Sequence, residues 1–298
     1  MGAVKSSSYL FLNGLRLHYQ NWNLKEGGSP VVLVHGLAYT ARMWDFVAPL
    51  LVDLGWMPLA PDQRGHGLSD ETEGEYTFDL VVRDLVVFLE MTNLEKPLLV
   101  GHFRGGMVVL EYAARVSTGP RSPAGIVLVD GGIGQLSDIP GATWERVRDF
   151  LAPSNTTGMT LENLHRHLLK PNPTWTLTDE VLPTMLANYH IDENERVTPR
   201  PNYDRHLQIL QKIWEFNSYV HYPKIRYPVL MIATCPREPL DGLARLRFEY
   251  RQRGVEQAQE IIRDLTVHWM MDTIHDVPLQ RPRELTLLID QFGKSIND

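Results

Sequence analysis

The sequence predicts a mixed α/β chain: a mostly parallel, doubly wound sheet with an inserted helical block. Three observations carry this. Short, wholly apolar runs recur along the chain, and helix-period stretches separate most of them. The chain opens instead with an alternating pair of runs joined by a turn. Between about residues 132 and 222 the strand rhythm stops and helix-period segments follow one another.

Tyr9–Leu12 and Leu15–Tyr19 flank Asn13-Gly14, two residues that tolerate the positive φ of a tight hairpin turn, so an antiparallel start is expected. Val31–Val34, Pro58–Ala60, Leu98–Val100, Ile126–Val129 and Val229–Ile232 are continuous apolar runs. That pattern belongs to parallel strands buried on both faces. Leu265–Met270 is expected to be the last strand. From Tyr76 to Thr92, Leu80, Val81, Leu85, Val86 and Leu89 repeat at helical spacing, and similar patterns follow Gly105 and Arg281. In the inserted block, Trp144–Leu151, Leu161–Leu169, Thr178–Tyr189 and Tyr203–Phe216 read as helices. Pro153, Pro171, Pro173, Pro199 and Pro201 separate them. The expected division is a core of residues 1–135 and 222–298 with a helical cap over 136–221. The cap should lie across the carboxyl ends of the strands, where such sheets bind ligands.

Composition narrows the function. With 298 residues and 43% hydrophobic side chains, the chain is able to bury a full core. A net charge of −7 without a basic patch argues against nucleic acid as a partner. No apolar run nears the length of a membrane span, so no membrane partner is expected. The single cysteine, Cys235, excludes an internal disulfide and fits a reducing compartment, with the cytoplasm the simplest location. Neither a zinc-binding H-E-x-x-H nor the Lys-Ser/Thr of a phosphate loop is present; no metal or cofactor is expected.

Four segments carry chemistry: Val34-His35-Gly36-Leu37, Asp62-Gln63-Arg64-Gly65-His66-Gly67-Leu68-Ser69, Gly101-His102-Phe103-Arg104-Gly105, and Ile274-His275-Asp276-Val277-Pro278. In this order they resemble the α/β-hydrolase family, over nearly the whole chain from Tyr9 to Phe292. The resemblance implies the α/β-hydrolase fold and a two-step acyl transfer on carboxylic esters or lactones. It places the nucleophile at the centre of G-x-S-x-G, where a serine sits on a sharp strand-to-helix turn. Here that position is Phe103, which has no proton to lose and no lone pair to attack with.

The remaining roles follow from the same resemblance. His275 matches the general base, and the backbone N–H groups of Leu37 and Arg104 match the oxyanion hole. The carboxylate that orients the base has two candidates. Placement after Val229–Ile232, which we favour, points to Glu238; placement after Ile126–Val129 points to Asp130. His35 and Gly36, beside the oxyanion turn, and Trp144 and Trp214, in the block, are candidate substrate contacts. The aromatic residues of the block favour an apolar or aromatic ester- or lactone-like small molecule as ligand. With Phe103 in place, three functions compete: a hydrolase scaffold with lost or residual activity, a non-hydrolytic enzyme using His275 as a general base, and a small-molecule-binding pseudoenzyme.

Overall fold

Eight strands form one sheet in which only the second runs against the others. The computed structural model describes residues 5–22, 28–73, 75–170, 177–235, 237 and 242–296. β1 (Lys5–Leu12) and β2 (Leu15–Trp22) are the expected hairpin, and Asn13 and Gly14 take φ of 46° and 78° at its turn. β3 (Ser29–Val34) lies at the centre, parallel to β4 (Trp56–Pro61) on one side and to β5 (Leu98–His102) on the other. β6 (Gly125–Val129), β9 (Val229–Cys235) and β10 (Leu265–Met271) extend the parallel half outward. The direction of growth therefore reverses at β3, and the loops after β3 and β5 open into the crevice there.

Burial on both faces explains the continuous apolar runs. Val32, Val34, Leu99, Ile126, Leu128 and Met231 pack into one core, while Val31, Leu33, Val100, Val127, Val129 and Ile232 pack into the other. Successive side chains alternate between faces, so the middle of a strand covered twice is apolar, and the buried polar residues His102 and Thr234 fall near strand ends where they find partners. Each such side chain contributes about 1.5–3 kcal/mol when fully buried.

The core helices are α1 (Ala48–Asp53), α2 (Phe78–Met91) and α3 (Arg104–Arg115), joined later in the chain by α8 (Gly242–Ile261), α9 (Val277–Gln280) and α10 (Pro282–Ser295). Thr77 caps α2, its side chain accepting from the Leu80 N–H, which sets the start two residues after Tyr76. The inserted block contains α4 (Trp144–Leu151), α5 (Leu161–Leu168), α6 (Leu182–Leu186) and α7 (Tyr203–Glu215). Thr143, Thr160 and Asn202 cap α4, α5 and α7 in the same way. The helix expected over Thr178–Tyr189 is shorter than the periodicity implies. It is reduced to α6, because Pro183 fits only the first turn of a helix, and Tyr189 already belongs to a small antiparallel pair, β7 (Tyr189–Ile191) with β8 (Val197–Pro199). Among the described residues no helix is long and apolar enough to cross a membrane.

Candidate functional site

The loops leaving β3, β5, β6 and β10 converge at the carboxyl edge of the sheet. Between β5 and α3 the chain turns at a single residue, Phe103, whose φ of 47° and ψ of −109° lie in a region that side chains other than glycine avoid. Glycines make the turn possible. A Cβ on Gly101 would stand 2.3 Å from the Gly105 carbonyl oxygen, and one on Gly105 would stand 2.2 Å from that of Val34. The Phe103 N–H donates to Val129 O at 2.9 Å, and its own carbonyl accepts from Met107 N at 3.1 Å. The tip is thus fixed by backbone bonds to the neighbouring strand and to α3.

His275 stands opposite, in the short connection between β10 and α9. Its ring meets Phe103 edge-on, with centroids 4.8 Å apart and planes at 87°. Its backbone carbonyl accepts from His102 Nε2 at 2.8 Å and from Val277 N at 2.9 Å, so the loop is held on two sides. His275 Nδ1 donates to Asp130 Oδ2 at 2.6 Å. Nε2 is left as the ring's proton acceptor. Of the two carboxylates considered for orienting this ring, Asp130 makes the contact; Glu238 lies outside the described residues.

Asp130 follows β6 directly and is nearly fully enclosed. Arg251 on α8 clamps it with two bonds, Nε to Oδ1 and Nη2 to Oδ2, both 2.8 Å. Thr234 adds its backbone N–H at 3.2 Å and its hydroxyl at 3.0 Å, both to Oδ1. Burial by itself would raise the acid's pKa. The Arg251 guanidinium, and then the His275 ring, reverse this and hold it well below the usual carboxylate range. Asp130 is therefore held as an anion between the His275 ring and the Arg251 guanidinium. Neither Arg251 nor Thr234 is expected as a partner from the sequence, since no motif marks either.

The other expected residues divide. Leu37 lines the cavity beside Phe103, and Arg104, as the first residue of α3, has one of the N–H groups that a helix leaves unpaired. The Arg104 side chain turns inward, fully buried against Gln63 Oε1 and over the Phe78 ring at 5.8 Å. Burial, and secondarily Arg64, lowers its pKa to about 9. His35, Gly36, Trp144 and Trp214 are corrected: none of the four lines the cavity. His35 uses both ring nitrogens internally, Nδ1 donating to Gly36 O at 2.7 Å and Nε2 accepting from Gln63 N at 2.9 Å. Gly36 leaves room for His102, since a Cβ there would approach His102 Nδ1 to 2.7 Å. Trp144 and Trp214 pack against the core instead.

The cavity itself has a volume of about 750 Å³ and is mostly apolar. Phe103, Met107 and His275 line it, as do Ile139, Val147, Leu151 and His206 from the inserted block. That size and lining suit a small organic molecule.

A family model for the alpha/beta hydrolase fold matches residues 29–226. The chain belongs to that family. A non-heme chloroperoxidase from Streptomyces lividans is 32% identical over 127 residues, 43% of this chain and 44% of that protein. Epoxide hydrolase A from Mycobacterium tuberculosis is 40% identical over 112 residues, 35% of this chain and 34% of that protein. The chain thus matches less than half the length of these relatives. Among solved structures, E-2-(acetamidomethylene)succinate hydrolase superposes with a TM-score of 0.77 at 19% identity, covering 98% of this chain and all of that one. At that identity the likeness establishes the hydrolase fold alone.

Proposed function

We propose that this hydrolase-fold protein carries the pocket and the His–Asp dyad of a carboxylic ester or lactone hydrolase, with the nucleophile position filled by Phe103. Acyl transfer is then lost or residual. One observation carries the reading: the strained tip between β5 and α3 presents a phenyl ring 4.8 Å from an imidazole that keeps its 2.6 Å bond to a buried aspartate. In the ancestral step a hydroxyl oxygen at the tip attacks the carbonyl carbon, its proton passes to His275 Nε2, and the oxyanion rests on the backbone N–H groups of Leu37 and Arg104. Phe103 removes the attacking atom and leaves the rest of the arrangement. The ligand is an apolar or aromatic small molecule, in keeping with the lining.

The test is hydrolysis of 4-nitrophenyl butyrate by the native chain and by Phe103→Ser. The serine variant is expected to gain at least about 10³-fold in turnover, since single losses within such a triad cost about 10⁴–10⁶. A fluorophosphonate should label residue 103 in the variant alone. A folded variant that neither turns over the ester nor accepts the label overturns the reading. The retained dyad then favours the second one, in which His275 removes a proton from a substrate that needs no protein nucleophile.

A further inference from the structure

Two arginines enter the cavity from one face of α8, four residues and one helical turn apart. They are not in the same state. Arg251 is clamped on Asp130. Arg247 is half-buried on the cavity wall, and no carboxylate among the described residues lies within ion-pairing distance of it. Among the described residues, the three carboxylates that line the cavity are already engaged. Asp130 holds Arg251 and His275, Asp276 accepts from Tyr39 at 2.6 Å, and Asp149 is bound by Arg148 at 2.8 Å.

Arg247 is nevertheless held in place. Its guanidinium lies over the Phe150 ring, with Cζ 4.8 Å from the centroid. Stacking fixes the plane of the fork and leaves its N–H edges available for an acceptor. Burial, and then the nearby Arg251 charge, work against the cation and lower its pKa, so a bound anion relieves a cost already present. Arg146, exposed at the rim with one guanidinium nitrogen on Gly141 O, adds a second positive group. Three arginines and three aspartates line the cavity, so in a chain with a net charge of −7 its lining is balanced, with Arg247 outside every ion pair among the described residues.

We infer that Arg247 is an anion subsite of the cavity and that the ligand is an apolar small molecule bearing a carboxylate. The carboxylate pairs bidentately with the guanidinium, while the apolar body extends toward Phe103 and His275. The preferred substrate class is then a half-ester or an acid-bearing lactone, with neutral esters accepted less well. This rests on the pocket proposed above and not on the fate of acyl transfer in it.

The experiment is calorimetric titration of the full chain with a matched pair, 4-phenylbutyrate and 4-phenylbutanamide. The acid is expected to bind at least about tenfold more tightly, a charge-assisted contact being stronger than a neutral one. Arg247→Gln should bring the two affinities within about twofold of each other. Arg247→Lys, with charge but no fork, should retain part of the difference. Circular dichroism confirms that each variant is folded. Equal affinities in the native chain, a preference that survives Arg247→Gln, or no binding of either probe overturns the inference. The two readings fail separately. Acid preference without ester turnover in Phe103→Ser overturns the hydrolase reading alone, whereas turnover without acid preference overturns this one alone.

Discussion

Replacing Asp130 by asparagine tests the charge at the centre of the site. Asparagine has nearly the same shape and still offers Oδ1 to Thr234, but it removes the negative charge and puts an amide donor where Oδ2 accepts from His275 and Arg251. Arg251 is then left behind. Its side chain is 11% exposed and Asp130 is 1% exposed, so neither charge is well solvated. Removing one partner of a buried pair costs about 3–5 kcal/mol, because the other stays desolvated and uncompensated. At about 2.1 cal/mol/K of unfolding entropy per residue, a chain of 298 residues loses about 5–8 °C in Tm. Urea unfolding gives the same quantity at 25 °C. The double variant Asp130→Asn/Arg251→Met should recover most of the loss, since it removes the orphaned cation as well. An Asp130→Asn loss below about 1 kcal/mol, or strictly additive effects in the double variant, would show that the clamp is not a desolvated pair and refute the reasoning.

Acid should destabilise the protein in two stages. His35 and His102 are buried with pKa values lowered to about 4 and about 3, chiefly by burial, so between pH 6.5 and 4 the unfolded chain takes up protons that the native one refuses. Stability is complete above about pH 6.5 and falls as the pH drops through that window; below about pH 4 the unfolded chain also protonates Asp130, which the native one keeps ionised because its pKa is depressed, and this removes more. A Tm that stays level from pH 7 to pH 4.5 contradicts this. Separately, Gly105→Ala places a methyl group 2.2 Å from Val34 O, against backbone that cannot yield. It should cost more than about 3 kcal/mol or prevent folding, and a variant with native urea stability would contradict the contact.

The parts of the fold that the sequence revealed are those decided locally or by burial. The hairpin at Asn13-Gly14 and the apolar runs of β3, β5, β6 and β9 lie where their own residues place them. α8 was not legible. Its 20 residues mix charge with apolar groups around the helix, and Arg247 and Arg251 were hidden with it. At the site, Phe103 and His275 were readable because each sits in a short motif at a strand end. The choice between Asp130 and Glu238 was not, because it depends on how loops from strands distant in sequence meet. His35 and Gly36 were misplaced for a related reason: proximity in a motif does not say which way a side chain points. His35 points into the interior, where Gln63 satisfies it.

The elbow has a consequence for how this protein can change. Its shape is set by the clearances at Gly101 and Gly105 and by backbone bonds to Val129 and Met107, none of which involves the side chain at position 103. The tip behaves as a socket, and what is plugged into it is interchangeable. A serine and a phenylalanine codon can differ by one base, so reactivity can be lost or regained in a single step without redrawing the cavity around it. What the pocket selects and whether it reacts are then separately heritable traits. On the proposed function, a population carrying this chain would hold a binding site that one substitution turns into a catalyst, and the reverse step would return it to silence with its selectivity intact.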